Sequence, residues 1–367
     1  MFKTLSNRHL GMDIVRSVAV LSVLVGHALI FLPKFFNVQW LLYLAVFGVE
    51  IFFALSGFLI GNILIKMSLQ QFGFKEVIRF WIKRWMRTIP VYLVIVVLIT
   101  LFNKQLFFSY LIFTQNYYPD ALNKFPVSWS LTIEEWFYLS FPLLMFIFSK
   151  ILIFFKLSIK PRLIPISIII FITVPFMLRF LAIEGTENWD NTIRKQIHLR
   201  LDGIAYGVLL AYLYNINKQW FKNKHASSLL GVLLILGFVF IWWLFETTIN
   251  IFTAQPSFFN NVIFYPLINI YAALFVAYFI RFQTYSTAII QRIIMFVSLI
   301  SYSLYLVHYP IYIGFAKYTD SISMALTALL LSLICIFISG FILYMGIEKP
   351  FIDLRNKWIV SKGHSAL

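Results

Sequence analysis

Apolar residues run in long unbroken blocks along this chain, and short segments rich in lysine and arginine separate them. The blocks show no amphipathic alternation, and the ten-residue alternation of membrane β-strands is absent. A crossing needs about 20 apolar residues in a helix. On that measure the pattern predicts an all-α, polytopic membrane protein of about ten spans, near 11–32, 38–65, 88–102, 128–149, 163–183, 199–215, 228–245, 261–280, 291–316 and 321–347. The third is short for a full crossing and can begin inside the basic stretch before it. Segment 106–114 is too short to cross and reads as re-entrant or interfacial. No linker, repeat or low-complexity stretch marks a second domain, so residues 1–367 are expected to form one transmembrane domain.

Composition agrees with the pattern. Hydrophobic residues make up 61% and charged residues 12%, against about 25% charged in soluble domains. A net charge of +16 would suggest nucleic acid in a soluble protein. In a polytopic one it marks cytoplasmic loops, so no nucleic-acid partner is expected. With the N-terminus inside, 21 lysines and arginines fall in inner segments and six in outer ones, while Arg16, Arg179 and Arg200 lie in or at the ends of spans. This bias puts both termini in the cytoplasm, with the chain in the inner or plasma membrane of a cell. The basic N-terminus leads into a long run that contains Arg16, which reads as an uncleaved first span and not a cleavable signal. The single cysteine, Cys335, can form no internal disulfide and reads as a small hydrophobe. No metal site is expected.

The first span, GMDIVRSVAVLSVLVGHALIFL, holds Asp13, Arg16 and His27. Each such group costs roughly 2.5–3.5 kcal/mol to insert, so it faces a cavity or partner and reads as functional. Asp13 and Arg16 are within side-chain reach. Arg16 and His27 are close to three whole turns apart, on one face, about 16 Å along the axis. The predicted topology puts Asp13 and Arg16 on the inner side, with the basic segment 75–87. It puts His27, Glu134, Glu135, His308, Arg200 and Asp202 on the outer side.

Further constellations carry two readings each. In FGFKEVIRFWIKRWMRTIP, the cations Lys75, Arg79, Lys83, Arg84 and Arg87 interleave with Phe74, Trp81 and Trp85. This suits an interfacial helix held by anionic lipid. It equally suits a phosphate site, with Arg84 and Arg87 one turn apart and able to share one phosphate. In SWSLTIEEWFYLSFP, Glu134 and Glu135 point about 100° apart. Ser130, Glu134 and Tyr138 would line one wall, or Glu134 would only pair with a neighbouring helix. Segment FGVEIFFALSGFLIG puts Glu50 among Ala54, Ser56, Gly57 and Gly61, small residues suited to close helix packing. Segment SYSLYLVHYPIY puts Ser301, Tyr305, His308 and Tyr312 on one stripe, where His308 is either functional or a satisfied interior histidine.

Seven stretches in order, GMDIVRSVAVLSVLVGHA, FGVEIFFALSGFLIG, RFWIKRWMRTIPVY, SWSLTIEEWFYLSFPLL, LRLDGIAYGVLLA, SYSLYLVHYPIY and IEKPFIDLR, together resemble the integral-membrane acyltransferase 3 family over nearly the whole chain. No single stretch is decisive, and DIVR departs slightly from the more usual family pattern. The resemblance implies an Arg–ten residues–His element, Arg16 and His27, and an Arg-x-x-Arg element, Arg84 and Arg87. It also implies an O-acyltransferase that draws an acetyl or other short acyl group from cytoplasmic acyl-CoA. The acceptor would be a hydroxyl of a cell-surface polysaccharide or lipid-linked saccharide. Some relatives carry a fused hydrolase-like domain outside the membrane; with Leu367 soon after the last span, none is expected here.

Such a transfer needs a base for the hydroxyl proton and a group to hold the oxyanion. His27 is expected as the base, or as an acylated intermediate, with Glu134 as its acid partner. Asp13, Arg16, Glu135 and His308 are expected in support. Arg84, Arg87, Lys83 and Arg16 would hold the phosphates and arm of the donor, acetyl-CoA first among acyl-CoAs, with no cofactor bound permanently. The other partners are the saccharide acceptor and membrane lipid. Tyr117, Tyr118 and Trp189 in the outer loops are available to stack on sugars or to anchor at the interface. The rival reading is a transporter or flippase of a glycolipid or small anion, since charges in spans also mark substrate paths. The paired, interrupted halves common in transporters are not visible in the sequence.

Overall fold

A computed structural model describes residues 8–32, 40–69, 72–156, 163–182, 189–247, 257–284, 289–317 and 319–361. The described residues form helices and turns, with no strand among them. Backbone groups in a bilayer must be satisfied within the chain, and an apolar helix does that locally.

Ten long helices follow the predicted spans: α1 (Leu10–His27), α2 (Leu41–Leu69), α3 (Phe74–Asn103), α4 (Ser128–Phe154), α5 (Leu163–Leu181), α6 (Asp202–Ile216), α7 (Lys224–Thr247), α8 (Phe264–Phe279), α9 (Ile289–Phe315) and α10 (Ile322–Leu343). A last helix, α11 (Lys349–Ser361), follows a π-helical turn at Tyr344–Glu348. Among the described residues nine helices are long and apolar enough to cross a membrane. The remaining predicted span, the sixth, corresponds to α6, whose 15 residues fall short of that length. The basic stretch and the short third span prove to be one 30-residue helix, α3, running through Pro90. Segment 106–114 becomes a set of 3₁₀ turns, followed by a short helix at Pro119–Lys124. Tyr92 pins it by donating from its hydroxyl to Tyr110 O at 3.1 Å, and the Tyr110 hydroxyl donates to Ala121 O. Lys3, Lys34, Lys160, Arg162 and Lys362, which entered the charge bias, lie outside the described residues.

The chain divides into two compact units. The first comprises residues 1–49, 82–128 and 283–366, the second 50–81 and 129–282. In the first, α1 packs on α9 and α9 on α10. The start of α2 comes so close to α1 that a Cβ on Gly26 would lie 2.5 Å from Ala45 N and 2.8 Å from Leu41 O. Only glycine permits that approach. The Tyr312 hydroxyl donates to Leu24 O at 3.2 Å and the Ser17 hydroxyl to Ile294 O at 2.9 Å, so two polar ties lock α9 and α1 together.

In the second unit, α5 packs on α6, and α8 on both α6 and α7. Gly57 does what its small neighbours suggested: a Cβ there would lie 2.0 Å from Ile204 O. Two fully buried ion pairs hold this unit. Arg200 donates to both Glu50 oxygens at 2.6 and 2.7 Å, and Arg179 donates to Asp202 at 2.7 Å. The ring of Tyr265 lies 4.0 Å from the Arg200 guanidinium and 5.0 Å from that of Arg179.

Candidate active site

The first unit holds two chemical centres joined by α1. The first is a pair of imidazoles. α1 is helical without a break from Leu10 to His27, which keeps Arg16 and His27 on one face. His27 is half-buried at its C-terminal end, and His308, on α9, is fully buried. Nδ1 of His27 lies 3.0 Å from Val23 O, one turn back, and 3.2 Å from Nε2 of His308. Nδ1 of His308 lies 2.6 Å from Tyr305 O. Tyr309 meets the His27 ring edge-on at 5.6 Å, which fixes its tilt. The stripe read from the sequence is real: Ser301, Tyr305, His308 and Tyr312 are all buried. The Tyr305 hydroxyl donates to Val127 O at 3.0 Å.

The second centre gathers charge around Asp13, which is 3% exposed. Arg8 donates to Asp13 from Nε at 2.9 Å and from Nη2. Arg16 donates from Nη1 to Asp13 at 3.3 Å and to the Ser298 hydroxyl at 3.0 Å, and Ser298 in turn donates to Asp13 at 2.6 Å. Asp13 and Ser298 therefore fix the Arg16 guanidinium. Arg87, Arg8 and Arg84 all lie near enough to act on Arg16 electrostatically. Arg87 and Arg16 act on Glu348, and Arg87 and Arg84 on Arg355. Arg8, Arg16, Arg84, Arg87 and Arg355 thus share one electrostatic neighbourhood with the carboxylates of Asp13 and Glu348, and such an excess of guanidinium charge attracts anions. Lys83 lies half-buried on α3, which also carries Arg84 and Arg87.

Arg8, Glu348, Ser298 and Arg355 join this centre without having been picked out as site residues. Their signal was present in part: Glu348 and Arg355 belong to the stretch IEKPFIDLR, a charged run at the end of an apolar block. Glu348 closes the π-helical turn, is 1% exposed, and accepts from the Ser303 hydroxyl at 2.9 Å.

Glu134 and Glu135 lie on α4 in the second unit. Their divergence is visible, since Glu135 is buried and Glu134 half-buried. Ser130 and Tyr138 of the same stripe are buried, and the Tyr138 hydroxyl hydrogen-bonds that of Ser56. Trp189 does not offer a face to sugars. It is 2% exposed, stacks on Tyr265 at 5.8 Å, and donates from Nε1 to Asn260 O at 3.1 Å. Tyr117 and Tyr118 are exposed. In the adjoining turn, burial pushes Asp190 up, but the charges of Arg194 and Lys195 outweigh it and hold the carboxyl down at about 2. Residues 183–188 and 248–256 of the outer loops lie outside the described residues. Among the described residues no group of three or more His, Cys, Asp or Glu side chains is placed to hold a metal ion.

The fold is that of a polytopic helical membrane protein, in which α1 carries one member of an imidazole pair at its end and one arginine of a charged cluster near its start. The chain belongs to the acyltransferase 3 family: the family described as an acyltransferase domain matches residues 9–346. Among curated proteins, it is similar to the O-acetyltransferase OatA of Staphylococcus aureus, in strains NCTC 8325 / PS 47 and COL. In both it is 27% identical over 381 residues, which cover 95% of this chain and 58% of the relative. The chain therefore spans less than three-fifths of the length of these relatives. No solved structure matches.

Proposed function

We propose that this protein is an O-acyltransferase that moves an acetyl or other short acyl group from cytoplasmic acyl-CoA to a hydroxyl of a cell-surface polysaccharide or lipid-linked saccharide. The observation that carries the reading is α1, which presents a half-buried imidazole at one end and an Asp13-braced arginine within a five-arginine cluster at the other. The name of the S. aureus relatives supports the acetyl group as first choice. The excess of basic residues in alternate segments supports cytoplasmic termini and an arginine cluster on the side where acyl-CoA is made.

In this reading Arg84, Arg87 and Arg16 hold the donor's phosphates, with Lys83 contributing charge. Val23 O, 3.0 Å from His27 Nδ1, favours a hydrogen there, which leaves the basic lone pair on Nε2. Nε2 takes the proton of the acceptor hydroxyl as its oxygen attacks the thioester carbonyl. The C–S bond breaks, the CoA thiolate leaves, and the imidazolium returns the proton to it. Alcohol and thioester become ester and thiol. Glu134 is proposed, from its place in the sequence, as the acid of this chemistry, and Asp13 holds Arg16 in place.

The test uses membranes containing the full chain, radiolabelled acetyl-CoA and the cell's own surface glycan, with mass spectrometry to locate the ester. His27→Ala should lower label incorporation by a factor of about 100 or more, and Glu134→Gln should lower it as well. Full incorporation by a normally inserted His27→Ala protein would remove the proposed base. Movement of a glycolipid without modification would favour a transporter.

A further inference from the structure

The bond between the two imidazoles has a direction that the backbone dictates. His308 Nδ1, 2.6 Å from Tyr305 O, must carry a hydrogen, because a carbonyl oxygen only accepts. His308 Nε2 then holds a lone pair. His27 Nδ1 lies against Val23 O as well as against that lone pair. With the hydrogen on its Nε2 instead, His27 would turn a bare Nδ1 toward two acceptors. With the hydrogen on Nδ1, it donates to both. The His308 ring is thus set by the carbonyl of Tyr305, while His27 Nδ1 faces two acceptors, Val23 O and His308 Nε2, so the bond between the rings runs from His27 to His308.

We infer that His308 is a positioning residue that, together with Val23 O, holds the Nδ1–H tautomer and the orientation of His27, leaving the basic lone pair on His27 Nε2. The acceptor that faces His27 from α9 is a neutral imidazole. Its place is unusual for a helix buried in apolar surroundings. His308 is fully buried, its Nδ1 is satisfied by backbone, and Tyr305 and Tyr312 flank its ring at 5.5 and 6.2 Å, leaving Nε2 as the acceptor aimed at α1. When His27 takes a proton on Nε2, its Nδ1–H remains with His308, whose own protonation is unchanged throughout. The catalytic consequence rests on His27 being the base proposed above, whereas the tautomer does not.

Two variants separate an acceptor from mere bulk. Glutamine can bring its Oε1 near the place of His308 Nε2 and accept the same bond; leucine fills the space and cannot. Nitrogen-15 histidine spectra of the membrane-embedded protein should show His27 hydrogenated at Nδ1 in the wild type and in His308→Gln, and mixed between nitrogens in His308→Leu. kcat should fall about 10- to 100-fold in His308→Leu, the range seen when an outer partner of a metal-bound histidine is removed. KM for acetyl-CoA should stay unchanged and His308→Gln should recover most of the loss. Wild-type His27 hydrogenated at Nε2 would overturn the inference. So would a wild-type kcat in His308→Leu, or a His308→Gln protein as inactive as His308→Leu at equal thermal stability. If His27→Ala kept full transfer while the spectra came out as expected, only the base assignment would fall.

Discussion

A histidine or arginine in an apolar helix is tolerated when its polar atoms find partners. Here those partners are mostly backbone carbonyls and hydroxyls that sequence alone does not reveal. Asp13, Arg16, His27 and His308 stood out because each interrupts an apolar block. That Ser298 and Arg8 complete the Asp13 site was illegible, since they come from a different helix and from the segment before α1. Trp189 was misjudged for a related reason: an aromatic beside a loop reads as available, and only the fold shows Tyr265 stacked on it. At this scale the donor site makes a distinct prediction. Arg84→Ala and Arg87→Ala should each raise KM for acetyl-CoA about tenfold, or roughly 1.4 kcal/mol, with kcat little changed. The comparison that checks it is an acetyl thioester of pantetheine without the nucleotide. On that donor, wild type and variants should be equally active, because it lacks the phosphates these groups are proposed to hold.

Among the elements, the apolar blocks predicted helix type and order correctly, and missed mainly where charge shortened a block. The third span was cut at Arg87 because the cations before it are polar, yet their helix continues without a break from Phe74. The sixth was read as a full crossing, but regular helix is interrupted at Leu201, between a short helical turn at Ile197–Arg200 and α6, which leaves α6 only 15 residues. The closeness of α1 and α2 at Gly26 was not legible from the first span, whose glycine gave no hint of its partner Ala45. It yields the second prediction. Gly26→Val would push side-chain carbons into the backbone of α2, where nothing flexible can give way. Thermal unfolding in detergent should show a loss of about 1–3 kcal/mol. Because His27 follows directly, acetyl transfer should fall with it even below the melting range.

Across the whole molecule, the sequence pattern indicated a helical bundle but not its polar staples. Glu50 and Arg200 are 150 positions apart, and nothing in either stretch names the other. Their pair is fully buried and doubly hydrogen-bonded. Breaking a buried pair strands a charge, so Glu50→Leu or Arg200→Leu alone should cost about 3–5 kcal/mol. Replacing both with leucine should cost far less, because no charge is then left behind. Chemical denaturation of the three proteins in the same detergent checks this, and additive losses would show that the two residues do not act as a pair.

The unbroken run of α1 makes it a calliper. Its jaws are a guanidinium and an imidazole, and their separation is a count of residues. One residue inserted between them would swing His27 by about 100° around the axis, whereas four would return it near the same face about 6 Å further on. If the proposed function holds, a protein lengthened in this way would grip the donor as before, yet its reactive nitrogen would wait at the wrong depth for the thioester.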